Sequence, residues 1–275
     1  MTASVTYRAV LDVHRQTVIF LSSLLHTRRQ MLGTRTGTRS LGCFAQAVLV
    51  LRWFLDGTRV AQLAVDNAIG GSTAYRYLHE GIDVLAERKP SLHAALLAAK
   101  MAGHTHINVD GTLLATDRCH APGPTPGVDL WWSGKHHHHG GNIQVVSTPD
   151  GWPIWTSEVR PGREHDTTCL RKHEEILPAL RQWTGDDLPA LADLGYEGED
   201  VFTLPIKKPA GGQLTDSQRQ HNWLHAYARA RAEQANSLLK TTFKALRHIS
   251  LDPNAIGRIV AAALVLLHVE HDRTT

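Results

Sequence analysis

Residues 106–112 read His-Ile-Asn-Val-Asp-Gly-Thr, and residues 191–198 read Leu-Ala-Asp-Leu-Gly-Tyr-Glu-Gly. In each, a short apolar run leads to a carboxylate, Asp110 or Asp193, with a glycine close behind. Such runs predict strands. An acid closing a strand stands at a sheet edge, where a cleft can form. Further β-prone runs lie at residues 143–147, 154–159 and 201–206, and residues 188–192 lead into Asp193. Pro149-Asp150-Gly151 between two of them predicts a hairpin turn. Helical spacing takes over at residues 165–180, 223–246 and 254–271. The chain from residue 101 to 275 therefore predicts β-β-β-α-β-β-α-α, an α/β fold in which helices pack on a mixed sheet.

Upstream the texture is helical. Apolar positions recur at helical spacing in residues 10–25 and 41–55, residues 33–40 form a break, and Pro90 ends a third stretch. We read residues 1–100 as an all-α region and place the boundary near residues 88–104. Within it, residues 58–91 have the layout of a helix-turn-helix. Thr58 caps a short helix, Asn67 to Gly71 make the turn, and two glycines supply positive φ. Ser72 then caps a second helix with Tyr75, Leu78, Ile82 and Leu85 inward. That phase leaves Ser72, Thr73, Arg76, Tyr77 and His79 outward, where a DNA-reading helix meets bases and phosphates. Arg28, Arg29, Arg35 and Arg39 add positive charge nearby.

The 275 residues carry a net charge of +3, which conceals an uneven division. Residues 1–100 hold 12 Lys/Arg against 6 Asp/Glu, and the remainder holds 17 against 20. A basic front joined to a slightly acidic back suits an anion-binding module attached to a collector of carboxylates. The composition excludes a disordered chain, a collagenous repeat and a disulfide miniprotein. Three widely spaced cysteines form neither a disulfide framework nor a metal knuckle. Residues 259–267 form the longest apolar run, about half of what a spanning helix needs. With no targeting signal apparent, we expect a cytoplasmic, nucleoid-associated protein with no membrane partner.

A third acid, Glu233, lies in Arg229-Ala-Arg-Ala-Glu-Gln-Ala-Asn-Ser-Leu-Leu-Lys240, which predicts one long helix. Two strand-end aspartates and a helix glutamate are oxygen ligands of the kind hard divalent cations prefer. Two such ions can activate an attacking hydroxyl and stabilise a departing one in phosphoryl transfer. Each acid taken singly reads better as a surface or capping residue than as a catalytic one.

The local sequences carry an identification that the spacing does not. Five stretches occur in order: Val109-Asp-Gly-Thr112; Ser133-Gly-Lys135 with Gly140-Gly-Asn-Ile-Gln-Val-Val146; Pro161-Gly162 with His165-Asp166; Ala192-Asp-Leu-Gly-Tyr196; and Arg229 through Lys240. Together they resemble the DDE transposases of bacterial insertion sequences, in the Harbinger-related subgroup. Ser72-Thr-Ala-Tyr-Arg-Tyr77 resembles that family's helix-turn-helix. The resemblance implies a ribonuclease-H-like catalytic domain that cleaves DNA at terminal inverted repeats and joins the freed 3′-hydroxyl to target DNA. Asp110, Asp193 and Glu233 take the places of the catalytic, metal-binding triad, implying two Mg²⁺ ions, with Mn²⁺ able to substitute. Lys135, Arg229 and Lys240 are expected to hold DNA phosphates, and synapsis of two ends implies a homo-oligomer on DNA. The chain departs from the related Tyr-x2-Arg-x3-Glu-x6-Lys pattern at Ala226, the tyrosine standing one place late at Tyr227. A catalytically inactive or repurposed DNA-binding transposase is the alternative.

Four residues or groups have competing readings. His136–His139 suits partly protonated side chains near a DNA backbone, a zinc site with His104, His106 or His120 being the sharper alternative. His165 and Asp166 open a helix beside the possible cleft, where a capping role for Asp166 is favoured over metal chemistry. Trp131, Trp132, Trp152 and Trp155 are expected to pack in the core or on the sheet.

Overall fold

The computed structural model describes residues 10–275, so residues 1–9 of the helical region lie outside the described residues. Five helices come first: α1 Arg15–Met31, α2 Cys43–Asp56, α3 Val60–Asp66, α4 Gly71–Ala86 and α5 Leu92–Met101. Helix α2 is apolar on most sides and buries Leu49, Val50, Trp53 and Phe54. It stops at Gly57, whose φ of 67° is left-handed. Ser91 caps α5 by accepting from the Ala94 amide at 3.2 Å.

The two helices expected within residues 58–91 are present, with their details rearranged. Helix α3 starts from Arg59 rather than Thr58, and α4 starts from Gly70, so neither Thr58 nor Ser72 caps. The one positive φ in the turn belongs to Ala68 at 51°, not to Gly70 or Gly71. Leu78, Ile82 and Leu85 of helix α4 face inward as expected, but Tyr75 does not: Ala74 and Tyr77 take the inner face of the first turns, leaving Tyr77 2% exposed while Tyr75 faces outward at 46%. Gly81, one turn beyond Tyr77, lets this side approach α2, because a Cβ there would lie 2.4 Å from Val50.

The second half alternates strands and helices: β1 Ile107–Ala115, β2 Trp132–Ser133, β3 His138–Ser147, β4 Pro153–Thr156, β5 Arg160–Pro161, α6 Asp166–Arg171, α7 Ile176–Thr184, β6 Ala190–Leu191, α8 Asp216–Arg229, α9 Ala232–Thr242 and α10 Ile256–Glu270. Strand β3 runs antiparallel to β1 with Asp110 opposite Val145, and β2, β5 and β4 pair with its other edge. Strand β6 runs parallel to β1 through Ile107↔Ala190 and Asn108↔Leu191. Three antiparallel strands continued by a parallel one make the mixed sheet expected, with helices packed on it. Gly151, φ 83°, closes the β3–β4 turn. A Cβ there would meet the Arg231 carbonyl at 2.5 Å, so this turn props the corner between α8 and α9.

Three expected elements differ. Residues 201–206 make only an isolated bridge, Leu191↔Thr203, and Pro205, which has no N–H to donate, stands two residues beyond it. The helical stretch 165–180 divides into α6 and α7. The long helix around Glu233 also breaks, at Ala230 and Arg231, into α8 and α9. Of the four tryptophans bracketing the strands, Trp131, Trp152 and Trp155 are buried as expected.

Helix α10 lies at the centre. By length and composition Pro253–Glu270 is apolar enough to cross a membrane, yet the protein itself covers 72% of it. It packs against α1, α4, α9 and β4. Arg258 pairs with Asp83 of α4 at 2.8 Å, and Glu270 accepts from the His14 amide and the Thr17 hydroxyl of the α1 start. One continuous buried cluster thus contains Leu25, Phe54, Leu78 and Ile82 from the helices together with Ile107, Val109, Ile143 and Ile259.

Candidate active site

The site grows from a fork in the sheet. Strands β1 and β6 are last paired at Asn108↔Leu191, and two residues further along each chain stand Asp110 and Asp193. Parallel register therefore places these acids side by side at the point where the strands part. Asp110 is not the end of its strand, as the sequence suggested, because β1 continues to Ala115 along β3. The opening comes instead from the shortness of β6. Asp193 opens a 3₁₀ turn and accepts from the Gly195 amide at 2.8 Å.

Burial pushes the Asp110 carboxyl up to about 6. The nearby Arg229 opposes that shift, while Asp193, Asp166 and Glu233 add to it, in that order. Three other acids are therefore near enough to be felt electrostatically. Asn236 donates to Asp110 Oδ2 at 2.8 Å, and an Arg229 guanidinium nitrogen stands 3.5 Å from Oδ1.

The α8–α9 corner delivers these groups. Arg229 is the last residue of α8, Glu233 is exposed in the first turn of α9, and Asn236 follows one turn on. The two-helix path corrects the single-helix geometry: Arg229 reaches Asp110 across a corner, not along a shared helix face. Lys240 does share α9 with Glu233 and donates to Thr112 Oγ1 at 2.7 Å and to the Leu113 carbonyl at 3.1 Å. Burial lowers the Lys240 ammonium and the Asp110 charge opposes this. Tyr227, the displaced tyrosine, stacks on Trp223 in solvent, away from Asp110.

Asp166 does not cap α6. His165 holds the N-cap position without a side-chain bond, and the Asp166 carboxylate instead accepts from Asn142 Nδ2 at 2.8 Å. Two glycines make room for it: a Cβ on Gly111 would lie 2.3 Å from Asp166 Oδ1. A Cβ on Gly195 would lie 2.8 Å from Asp193 Oδ1 and 3.5 Å from Asp166 Oδ2.

Beside the carboxylates opens a cavity of about 810 Å³, lined among others by Lys135, His136, His138, His165, Asp166 and Lys240. Asp110 and Asp193 border it through the neighbouring Gly111 and Gly195, and neither they nor Glu233 line it. Of the four consecutive histidines only His138 and His139 belong to a strand. His139 bonds Asp129 at 3.0 Å. Burial, with Lys135 and His138 beside it, holds His136 below the usual imidazole range.

On α4, Ser72 and Arg76 are exposed, Thr73 and His79 half-exposed, and Tyr77 is withdrawn into the core. Three of the nearby arginines serve the fold: Arg29 bonds Gln46, Arg39 forks onto Glu80, and Arg28 pairs with Glu87. Arg35 stays exposed.

The residues at the fork fit a hard divalent cation in donor chemistry, since every candidate ligand is a carboxylate or amide oxygen. Asn236 Oδ1, buried beside Asp110, has no hydrogen-bond partner among the described residues. Within those residues, however, no three His, Cys, Asp or Glu side chains stand close enough to hold one ion. The arrangement is a set of converging walls rather than a closed cage. Sequence reasoning missed Asn142, Gln144, Tyr196 and Asn236. The first two carried a signal, as polar residues two apart in an apolar strand share one face.

Comparison with known proteins gives a family. The profile described as DDE superfamily endonuclease matches residues 109–268. No curated protein matches. Among solved structures, the chain is similar to Mos1 transposase in a paired-end complex with the left transposon end, at 10% identity and a TM-score of 0.23, covering 96% of this chain and 82% of that one. It is also similar to a pre-cleavage Mos1 transpososome, at 12% identity and a TM-score of 0.20, covering 94% and 97%.

Proposed function

The chain belongs to the DDE superfamily of endonucleases, and from that premise we propose that it is a transposase of a bacterial insertion sequence in the Harbinger-related subgroup. Its reaction is cleavage of DNA at terminal inverted repeats, then joining of the 3′-hydroxyl to target DNA. The observation that carries this reading is the fork, where Asp110 and Asp193 emerge together beneath the corner bearing Glu233. These three acids are the residues that would hold two Mg²⁺ ions, or Mn²⁺ in their place. Bound there, the ions would activate the attacking hydroxyl and stabilise the leaving oxygen.

The remaining residues bind and orient. Arg229 and Lys240 offer a guanidinium and an ammonium to phosphate oxygens, and Lys135 extends that charge along the cavity rim. Ser72, Thr73, Arg76 and His79 form the reading edge of α4, with Tyr75 in the place assigned to Tyr77. Two ends brought together call for an oligomer on DNA, in a cytoplasmic, nucleoid-associated setting.

One observation favours a second reading, a DNA-binding protein without catalysis: both oxygens of Asp110 already have partners in Asn236 and Arg229. Nicking of a duplex carrying the flanking repeats, with Mg²⁺ or Mn²⁺, decides between them. Wild type is expected to nick, and Glu233→Gln to bind but not nick. Equal nicking by both sinks the catalytic assignment, and binding without nicking by wild type supports the second reading. Arg76→Ala is expected to weaken repeat binding by about tenfold, the low end of a lost base contact. Fluorescence anisotropy at fixed salt measures it, and unchanged affinity would remove α4 from the interface.

A further inference from the structure

Glu233 is exposed in the first turn of α9, so its carboxylate is placed by the course of the backbone there rather than by packing of its own side chain. That course is set at the corner after α8, and the β3–β4 turn abuts the corner. A Cβ on Gly151 would lie 2.5 Å from the Arg231 carbonyl and 3.2 Å from Gln234 Cβ. The turn therefore rests against residues on either side of Glu233 in the sequence, and a shift of the turn is passed to the corner.

Bonds inside the turn fix its shape. The Thr148 amide donates to the Trp152 carbonyl at 2.9 Å, the Gly151 amide to the Thr148 carbonyl at 2.9 Å, and the Thr148 hydroxyl to Asp150 Oδ1 at 2.5 Å. Its position is fixed by the far end of α10 and the residues that follow. His268 Nε2 donates to the Pro153 carbonyl at 2.8 Å, and its ring stacks on Trp152. Arg273 completes the hold. Its amide donates to the His268 carbonyl at 2.9 Å, its guanidinium lies 4.8 Å from the centre of the Trp152 ring, and Nη2 donates to Asp150 Oδ2 at 2.6 Å. Burial opposes the Asp150 charge, but the Thr148 hydroxyl and the Arg273 guanidinium outweigh it and hold the carboxyl below the usual range. A half-exposed ion pair alone is worth little. Here one guanidinium grips both residues that flank Gly151, one by charge and the other by its ring face. Arg273 itself stands beyond the family match, which ends at residue 268.

We propose that Arg273 is a positioning residue for Glu233: through Asp150 and Trp152 it clamps the β3–β4 turn against the α8–α9 corner and so sets where the Glu233 carboxylate stands. The proposal rests on the endonuclease reading above and deepens it by one residue remote from the acids. It touches neither DNA nor the fork, so its loss should slow the chemical step and leave the binding of the repeats as it was.

The test uses the full chain as wild type, Arg273→Ala and Arg273→Lys. Arg181→Ala, which breaks an exposed ion pair with Asp200 elsewhere, serves as control. Amide hydrogen exchange of the metal-free protein reads the corner directly. Arg273→Ala is expected to speed exchange across residues 230–237 by roughly three- to tenfold, the worth of a lost ion pair and ring contact, while the amides of β1 keep their rates. Nicking of the repeat duplex with Mg²⁺ reads the consequence: kcat should fall by about the same factor with KM unchanged. Arg273→Lys keeps the charge but not the flat face, and should fall between wild type and Arg273→Ala. Arg181→Ala should change neither. Unchanged exchange at the corner overturns the clamp. Exchange that quickens equally in β1 reduces Arg273 to general stability and overturns it too. A loosened corner with kcat unchanged overturns the link to Glu233 while the endonuclease reading stands. If wild type does not nick, that reading falls and takes the role of Glu233 with it, whereas the clamp is still decided by exchange, which needs no activity.

Discussion

Replacing Asp110 by Asn is expected to abolish nicking, by roughly 10³-fold or more, and at the same time to stabilise the metal-free protein. The two effects have one origin. The Asp110 carboxyl is raised to about 6 from an ordinary value of 3.8, chiefly by burial, with Asp193, Asp166 and Glu233 adding to the shift. Below pH 4 the folded and unfolded chains both carry the proton, and the site costs nothing. As pH rises from about 4 to 6 the unfolded chain releases its proton first, so the native state loses stability throughout that window. By pH 7 the loss amounts to about 3 kcal/mol. An amide of the same shape escapes it. Asp110→Asn should therefore melt roughly 6–10 °C above wild type at pH 7 without metal, and level with it at pH 4. Calorimetric scans at the two pH values check this. A variant destabilised equally at both would mean that Asp110 is held for packing rather than as a ligand.

Ile259→Ala is expected to cost about 2–5 kcal/mol, the range for a large aliphatic side chain removed from a closed core. Ile259 is fully buried in α10, the helix that packs against α1 and α4 as well as against β4 and α9. The loss should therefore not be confined to one half of the chain. Urea unfolding followed by far-ultraviolet circular dichroism and by tryptophan fluorescence should show one coincident transition in wild type and in the variant, displaced to lower urea. Trp53 in α2 and Trp183 in α7 lie in opposite halves, so leaving only one of them in turn assigns the signal. A variant in which Trp53 unfolds separately from Trp183 would show that α10 does not unite them.

What could be read in the sequence was whatever a local pattern determines. Asp110 and Asp193 were legible because each follows an apolar run, and the Pro149-Asp150-Gly151 turn because its residues suit a reversal. The resemblance found Asp110, Asp193 and Glu233 as a set, which no composition or period would have done. The break at Ala230 and Arg231 was not legible, since neither glycine nor proline marks it. It is imposed from outside, where Gly151 brings the β3–β4 turn against the Arg231 carbonyl. Tyr75 and Tyr77 of α4 were misassigned for a similar reason, although Leu78, Ile82 and Leu85 were not: a buried Gly81 adds no hydrophobicity to a pattern, yet it lets Val50 in on the side that Tyr77 shares. Asp166 was read as a cap because it opens a helix. Its actual bond to Asn142 spans 24 residues of sequence, a distance at which local rules are silent.

The central position of α10 also bears on how the protein can be divided for study. A fragment beginning near residue 101 keeps every carboxylate of the fork but strips α1 and α4 from α10. The flank so bared is a row of aliphatic side chains in aqueous buffer, a surface that sticks to its own kind. Such a fragment should come out of the cell as precipitate, and its silence in a nicking assay would then report on solubility rather than on chemistry.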